Sequence, residues 1–231
     1  MNSLPDRDRP ASAVQAVLFD LDGLIVDSEP LHQEAFNRLL QRHGIPYHLD
    51  DEEYGRCFVG IPVSQNAALL SERFPWKKPV AELIRERESI YEGLISRPAN
   101  LTPYPGLDVV LEEIGKRQLR AAVASGSPRH HARMVLQGLG IDSCFSVVLG
   151  GNDVPRKKPM PDVYLRALEL LDLPPSACIA LEDSATGVAA AKAAGLRVFV
   201  IPNRYTLHQD LSSADVRLSG LVELLPYLGG R

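Results

Sequence analysis

The chain has 231 residues, 45% of them hydrophobic and 23% charged; a chain of this length buries roughly 70% of its unfolded surface, which excludes a disordered or fibrous protein. Lys and Arg number 25 against 29 Asp and Glu, a formal net charge of -4, so no global basic field draws it to nucleic acid or to anionic lipid. Its three cysteines, Cys57, Cys144 and Cys178, are odd in number and lack Cys-x-x-Cys spacing, which argues against a disulfide framework or a structural zinc site and fits a reducing compartment.

In chain order, residues 1–12 read as an N-terminal tail, charged and proline-bearing without the apolar segment of a signal peptide. No run approaches the 18 uninterrupted apolar residues of a membrane span. The expectation is a cytoplasmic protein with no membrane or nucleic-acid partner and no evident obligate protein partner. The first strand is Ala16 to Phe19. Three helical candidates follow, near Pro30 to His43, Ser64 to Phe74 and Pro79 to Ser96, with no comparable strand pattern among them. Residues 97–106 carry Pro98, Pro103, Pro105 and Gly106 and predict a stiff exposed linker. Further apolar runs are Ala121 to Ala124, Val147 to Leu149, Ile179 to Leu181 and Val198 to Ile201. Ser127-Pro128 predicts a capped helix start, and Gly195 closes a helix that begins at about Ala185. Continuously apolar strands need a sheet covered on both faces. The fold class is therefore α/β: a doubly wound, Rossmann-like parallel sheet, residues 13–27 and 99–231, interrupted by a small helical insertion, residues 28–98.

In such a sheet, ligands bind beyond the carboxyl ends of the strands. Four of the five runs end there in polar residues: Asp20-Leu21-Asp22-Gly23, Ser125-Gly126-Ser127, Gly150-Gly151 leading to Lys157-Lys158-Pro159, and Glu182-Asp183-Ser184. Carboxylates gathered at one edge repel by about 4 kcal/mol per pair at 4 Å and an effective dielectric of 20, so a cation between them is implied. An all-oxygen donor set selects a hard divalent ion, Mg²⁺ rather than zinc. The helix start after Ser127 offers free amides and a dipole to an anion, and phosphate is the expected one.

These segments, with Lys158-Pro159-Met160-Pro161-Asp162 and Glu182-Asp183-Ser184-x-x-Gly187, resemble the four ordered motifs of the haloacid dehalogenase superfamily. The helical insertion after the first motif and the re-joining segment Tyr104-Pro105-Gly106-Leu107 are similar to the branch of β-phosphoglucomutases and sugar-phosphate phosphatases. The resemblance implies that Asp20 is a nucleophile forming an aspartyl-phosphate, and that Asp22 is the general acid and then the base. It implies Mg²⁺ on the Asp20 and Asp183 carboxylates and the Asp22 carbonyl, with Glu182 direct or through water. Ser125 and Lys158 then grip the transferring phosphoryl group, with Gly126 beside them. The implied activity is a Mg²⁺-dependent phosphatase of a small phosphorylated metabolite, a sugar phosphate, with a sugar phosphomutase as the alternative. Asp22 speaks against dehalogenase chemistry. Val63, three positions after Gly60 where the mutases carry arginine, speaks against a mutase.

Substrate selection falls to the insertion, the cap in this resemblance. Val80, Leu83, Ile84, Ile90, Tyr91 and Leu94 form an apolar stripe with Arg87 in its middle. Arg87 either snorkels at the stripe's edge or serves as a cap cation aimed at the substrate. Glu29 and His32 contact the leaving group, act at the hinge, or are structural. Gly60 belongs to the cap loop expected near the substrate. Ser127 binds phosphate or caps its helix. His130 and His131 are expected on different faces of one helix, not as a metal pair.

Overall fold

The computed structural model describes residues 13–229; the expected tail, residues 1–12, lies outside the described residues, as do residues 230–231. Six strands are described: β1 (Ala16–Phe19), β2 (Arg120–Ala124), β3 (Val147–Leu149), β4 (Cys178–Glu182), β5 (Arg197–Val200) and β6 (Val216–Arg217). They form one parallel sheet in the order β3-β2-β1-β4-β5-β6. Five were expected within a residue or two. The sixth is two residues long and half exposed, too short to carry a hydrophobic pattern.

Although the strands read as unbroken apolar runs, the period of two still sorts their side chains. Val17, Phe19, Ala121, Val123, Ile179, Leu181 and Phe199 pack on one face. Ala16, Leu18, Ala122, Ala124, Cys178, Ala180, Val198 and Val200 pack on the other. Eight α-helices occur among the described residues: α1 (Glu29–Arg42), α2 (Asp51–Cys57), α3 (Val63–Arg73), α4 (Val80–Ile95), α5 (Leu107–Lys116), α6 (Arg129–Gly138), α7 (Asp162–Leu171) and α8 (Ala185–Ala193). Leu107, Val110 and Ile114 of α5 and Ala132, Val135 and Leu136 of α6 cover the first face, while Val163, Ala167 and Leu171 of α7 and Val188 and Ala191 of α8 cover the second. Burial is complete enough that Phe19, which meets Phe145 edge-on at 5.8 Å, is expected to cost about 3–5 kcal/mol on truncation to Ala.

The first four helices lie between β1 and β2 in the chain. Helix α1 has proline in its first turn, Glu29 at its positive end and Arg42 at its negative end. Its buried face of Ala35, Phe36, Leu39 and Leu40 has helical spacing, and it packs against α4. Helix α2 was not expected: its signal is Asp50, whose side chain accepts from the Glu53 amide at 2.8 Å, an Asp-x-x-Glu start too short to show periodicity. The segment expected as a stiff exposed linker is largely exposed, and it is also bound to the chain it re-joins. The Asp27 amide donates to the Thr102 carbonyl at 2.9 Å, the Tyr104 amide to the Ile25 carbonyl at 3.0 Å, and Val26 and Pro103 bridge antiparallel. Proline stiffened the segment without freeing it, because its neighbours still offer donors and acceptors.

Candidate active site

The backbone places the acids at one edge. The Asp20 amide donates to the Leu181 carbonyl at 3.0 Å, the Ser125 amide to the Leu149 carbonyl at 3.0 Å and the Ile201 amide to the Glu182 carbonyl at 2.8 Å, so residues following β1, β2 and β4 sit side by side. Asp20, Glu182 and Asp183 each bring one carboxylate oxygen within 4.8 Å of the others, and all three residues are buried.

Lys158 reaches into this cluster from the loop before α7. Its ammonium donates to Asp20 Oδ1 and to Glu182 Oε1, both at 2.6 Å. Burial works against that charge, but the Asp20 and Glu182 carboxylates outweigh it and hold the amine protonated well above the usual range. Lys157 is exposed. Burial, reinforced by Glu182 and Asp22 and opposed by Lys158, pushes the Asp20 carboxyl up to about 7. Burial and the charges of Asp20 and Glu182 raise Asp183 as well. The cluster has more acid than one lysine can balance.

Asp22, two residues on, is in the opposite state. Its Oδ1 accepts from Ser28 Oγ and its Oδ2 from Ser127 Oγ, each at 2.6 Å, and His32 Nε2 lies 3.8 Å from Oδ1. Burial opposes ionisation, but His32 and the two hydroxyls hold this carboxyl far below the usual range. Ser127 therefore does not cap its helix as one reading had it. The cap position is Pro128, without a side-chain bond, and the Ser127 amide instead donates to Ser125 Oγ at 2.9 Å.

Two glycines are fixed by this packing. Gly23 has φ +79°, and a Cβ there would lie 2.4 Å from Asp183 Oδ2; a Cβ on Gly187 would lie 1.8 Å from Glu182 Oε2. Glycine is needed in the first case for conformation and space, in the second for space alone.

The insertion's residues are placed less uniformly. His32 is stacked on Tyr91 at 4.0 Å. Its Nδ1 accepts from the Arg87 guanidinium at 2.5 Å, which leaves the ring hydrogen on Nε2, facing Asp22. Arg87 does not snorkel. Its side chain is 1% exposed, lies over the rings of Phe36 and Tyr91, donates to Glu88 Oε1 at 3.1 Å and reaches the clustered acids only through His32. Glu29 accepts from Tyr54 Oη at 2.6 Å, and its carboxyl is raised by burial. Gly60 is exposed at φ +76°, with Gln209 Nε2 nearest to the position its Cβ would take, at 3.6 Å, and no contact joins it to the carboxylates. A cleft of about 590 Å³ is lined by residues such as Arg56, Arg204 and His208, and none of the clustered acids borders it.

Three participants were not anticipated. Asn203 donates to Asp183 Oδ2 at 2.7 Å and to the Gly23 carbonyl at 3.1 Å; it follows β5, the one apolar run whose polar end drew no attention. Tyr164 donates to Glu182 Oε1, and Ser28 binds Asp22; neither has a strand-end position to give it away.

The family model for haloacid dehalogenase-like hydrolase matches residues 14–195. The chain belongs to that family. This hydrolase is 33% identical over 214 residues to Protein CbbY of Rhodobacter capsulatus, covering 90% of this chain and 94% of the relative. It is 32% identical over 190 residues to the phosphorylated carbohydrates phosphatase of Thermotoga maritima, covering 79% and 82%. A crystal structure of a CbbY mutant from Rhodobacter sphaeroides in complex with xylulose-(1,5)bisphosphate superposes on the hydrolase with a TM-score of 0.83, at 32% identity over 94% of this chain and 99% of that one.

The donor set suits a hard divalent ion. It is all oxygen, burial and then neighbouring carboxylates raise Asp20 and Asp183, and Glu182 Oε2 is buried without a partner. Glu182 Oε1 is already bound to Lys158 and Tyr164. Among the described residues, no helix is long and apolar enough to cross a membrane.

Proposed function

We propose that the chain is a Mg²⁺-dependent phosphatase of a small phosphorylated metabolite, a sugar phosphate, working through an aspartyl-phosphate on Asp20. The observation that carries this reading is the pairing of two carboxylates two residues apart in opposite states: Asp20 against Lys158 and the other acids, Asp22 clamped by Ser28, Ser127 and His32. The relative named a phosphorylated carbohydrates phosphatase and the sugar bisphosphate bound to the CbbY mutant support the substrate class.

In the first step an Asp20 oxygen attacks phosphorus and the bond to the sugar oxygen breaks, that oxygen taking a proton from Asp22. Lys158, Ser125 and the Gly126 and Ser127 turn receive the equatorial phosphoryl oxygens, where positive charge and amide hydrogens count most as charge spreads. In the second step Asp22 takes a proton from water, whose oxygen attacks phosphorus and releases Asp20 and inorganic phosphate. The anionic Asp22 held by two hydroxyls suits this second step. For the first, the carboxyl needs a proton, and a phosphate monoester, whose second pKa is about 6, can bring it. Asp20, Asp183 and the Asp22 carbonyl would hold Mg²⁺, with Glu182 acting indirectly, and the bound ion would supply charge that offsets repulsion between nucleophile and phosphate.

Residues 28–98 serve as the cap that selects the substrate, with Glu29 and His32 nearest the leaving group, Arg87 positioning His32, and the Gly60 turn at the rim. The deciding experiment is a phosphate-release screen over sugar phosphates and nucleoside monophosphates, with and without Mg²⁺, for wild type and Asp20→Asn. Release must need both Mg²⁺ and Asp20. Labelled phosphate recovered on another sugar hydroxyl instead of in water would replace this reading with a mutase.

A further inference from the structure

Of two groups of His, Cys, Asp or Glu among the described residues that bring three donor atoms within 4.8 Å, one is the acid cluster above and the other lies between α4 and α6: Glu92, His130 and His131. Contrary to the sequence expectation, the adjacent histidines do not diverge. Their ring centroids are 4.1 Å apart, and His130 Nε2 and His131 Nε2 lie 3.0 and 3.1 Å from the same oxygen, Glu92 Oε1. We propose that these three side chains form a binding site for a borderline transition-metal ion, Zn²⁺, that ties α4 of the helical insertion to α6 of the sheet core.

Three observations support this. The donor set, two imidazoles and a carboxylate, is one that zinc takes with a fourth, open position. Bonds of about 2.0–2.1 Å in a tetrahedron separate neighbouring donors by about 3.3 Å, so two of the three edges already stand within a few tenths of an ångström of the required length. For Nε2 of His131 to bind metal, its ring hydrogen must move to Nδ1; Glu88 Oε2 lies 3.8 Å from that atom, a small turn short of a hydrogen bond, while Glu88 Oε1 accepts from Arg87 at 3.1 Å. A carboxylate behind the second ring nitrogen is the partner that fixes tautomer and orientation in histidine metal sites. The site is also reachable: His131 is buried at 3%, but His130 and Glu92 are 57% and 42% exposed, which gives an ion a way in from solvent. Because Tyr91 lies edge-on to His131 at 5.3 Å and stacks on His32, occupancy would be felt one ring away from the neighbour of Asp22.

The test is Zn²⁺ binding by isothermal titration with Mg²⁺ in large excess to saturate the acid cluster, for wild type, His130→Ala, Glu92→Gln and Glu88→Gln, with circular dichroism to confirm folding. His130 is exposed, so its substitution leaves the core intact. One Zn²⁺ per chain is expected for wild type. At least tenfold weaker binding is expected for His130→Ala and Glu92→Gln, and a smaller loss for Glu88→Gln. Co²⁺ under the same conditions should give the intense visible absorption of a four-coordinate centre in wild type and not in His130→Ala. Equal Zn²⁺ uptake by wild type and His130→Ala, or none by wild type, would overturn the proposal.

Discussion

Asparagine in place of Asp20 removes a buried negative charge from a cluster that also holds Glu182 and Asp183. Burial and its acidic neighbours lift this carboxyl from 3.8 to about 7 against the pull of Lys158. In the unfolded chain the same group ionises near pH 4. Between about pH 4 and pH 7 the folded protein thus retains a proton that the unfolded chain has released, and stability falls as pH rises through that window. Going from 3.8 to about 7 at 1.36 kcal/mol per pH unit, the ionised form costs about 4 kcal/mol above pH 8, a net figure that already includes the pull of Lys158. The replacement amide does not ionise. Asp20→Asn is therefore expected to be inactive yet more stable than wild type by about 4 kcal/mol at pH 8 in a chelator, or about 8–16 °C in midpoint. Urea denaturation at pH 8 and pH 5 measures this. The gap should shrink at pH 5, where wild-type Asp20 is protonated, and should close or reverse with saturating Mg²⁺. A variant less stable than wild type at pH 8 without metal, or a gap that ignores pH, would refute the electrostatic account.

Lys158→Met is expected to lower kcat by about 10²–10³-fold, the scale for losing one preorganised charge at a reacting group, with steady-state phosphate release as the measurement. Gly187→Ala places a methyl inside the Glu182 carboxylate and should destabilise by about 1–3 kcal/mol while reducing activity, read by thermal unfolding and turnover together. Ser127→Ala removes one of the bonds that depress Asp22, so its pKa rises toward the ordinary carboxylate value; the carboxyl carbon NMR titration of Asp22 should move to higher pH, and an unmoved titration would detach Ser127 from it. Arg87→Met keeps the stem but leaves His32 Nδ1 without its donor; kcat should fall about tenfold with the fold retained, and Arg87→Lys should recover part of it.

The sheet and the acids at its strand ends were legible because the apolar runs are bounded and four of the five are followed by polar residues whose position means one thing in a parallel sheet; the order of the strands was not. Lys158 rather than Lys157 was legible only through the proline after it. What remained hidden depends on direction, which spacing does not carry. The Ser127 hydroxyl had two possible partners, and a carboxylate 105 positions away won over its own helix. Arg87 sits where a snorkelling side chain also would, and two aromatic rings, an imidazole and the Glu88 carboxylate enclose it instead. His130 and His131 are about a hundred degrees apart on an ideal helix, yet long rings on a surface facing Glu92 bend toward one oxygen. Tyr164 lies near motif residues in space without a pattern of its own, whereas Asn203 does follow an apolar run, one residue beyond it behind Pro202.

The antiparallel stitch between residues 25–27 and 102–104 has a bearing on how such a protein changes over time. Because the polypeptide departs from the sheet and returns to it at one laced point, the path of the chain into and out of the intervening helices is fixed there, while their side chains also rest on the core, as Glu92 does on His130 and His131. A change of length within these helices therefore leaves the spacing between β1 and β2 untouched, whereas a change on the face they turn to the core does not.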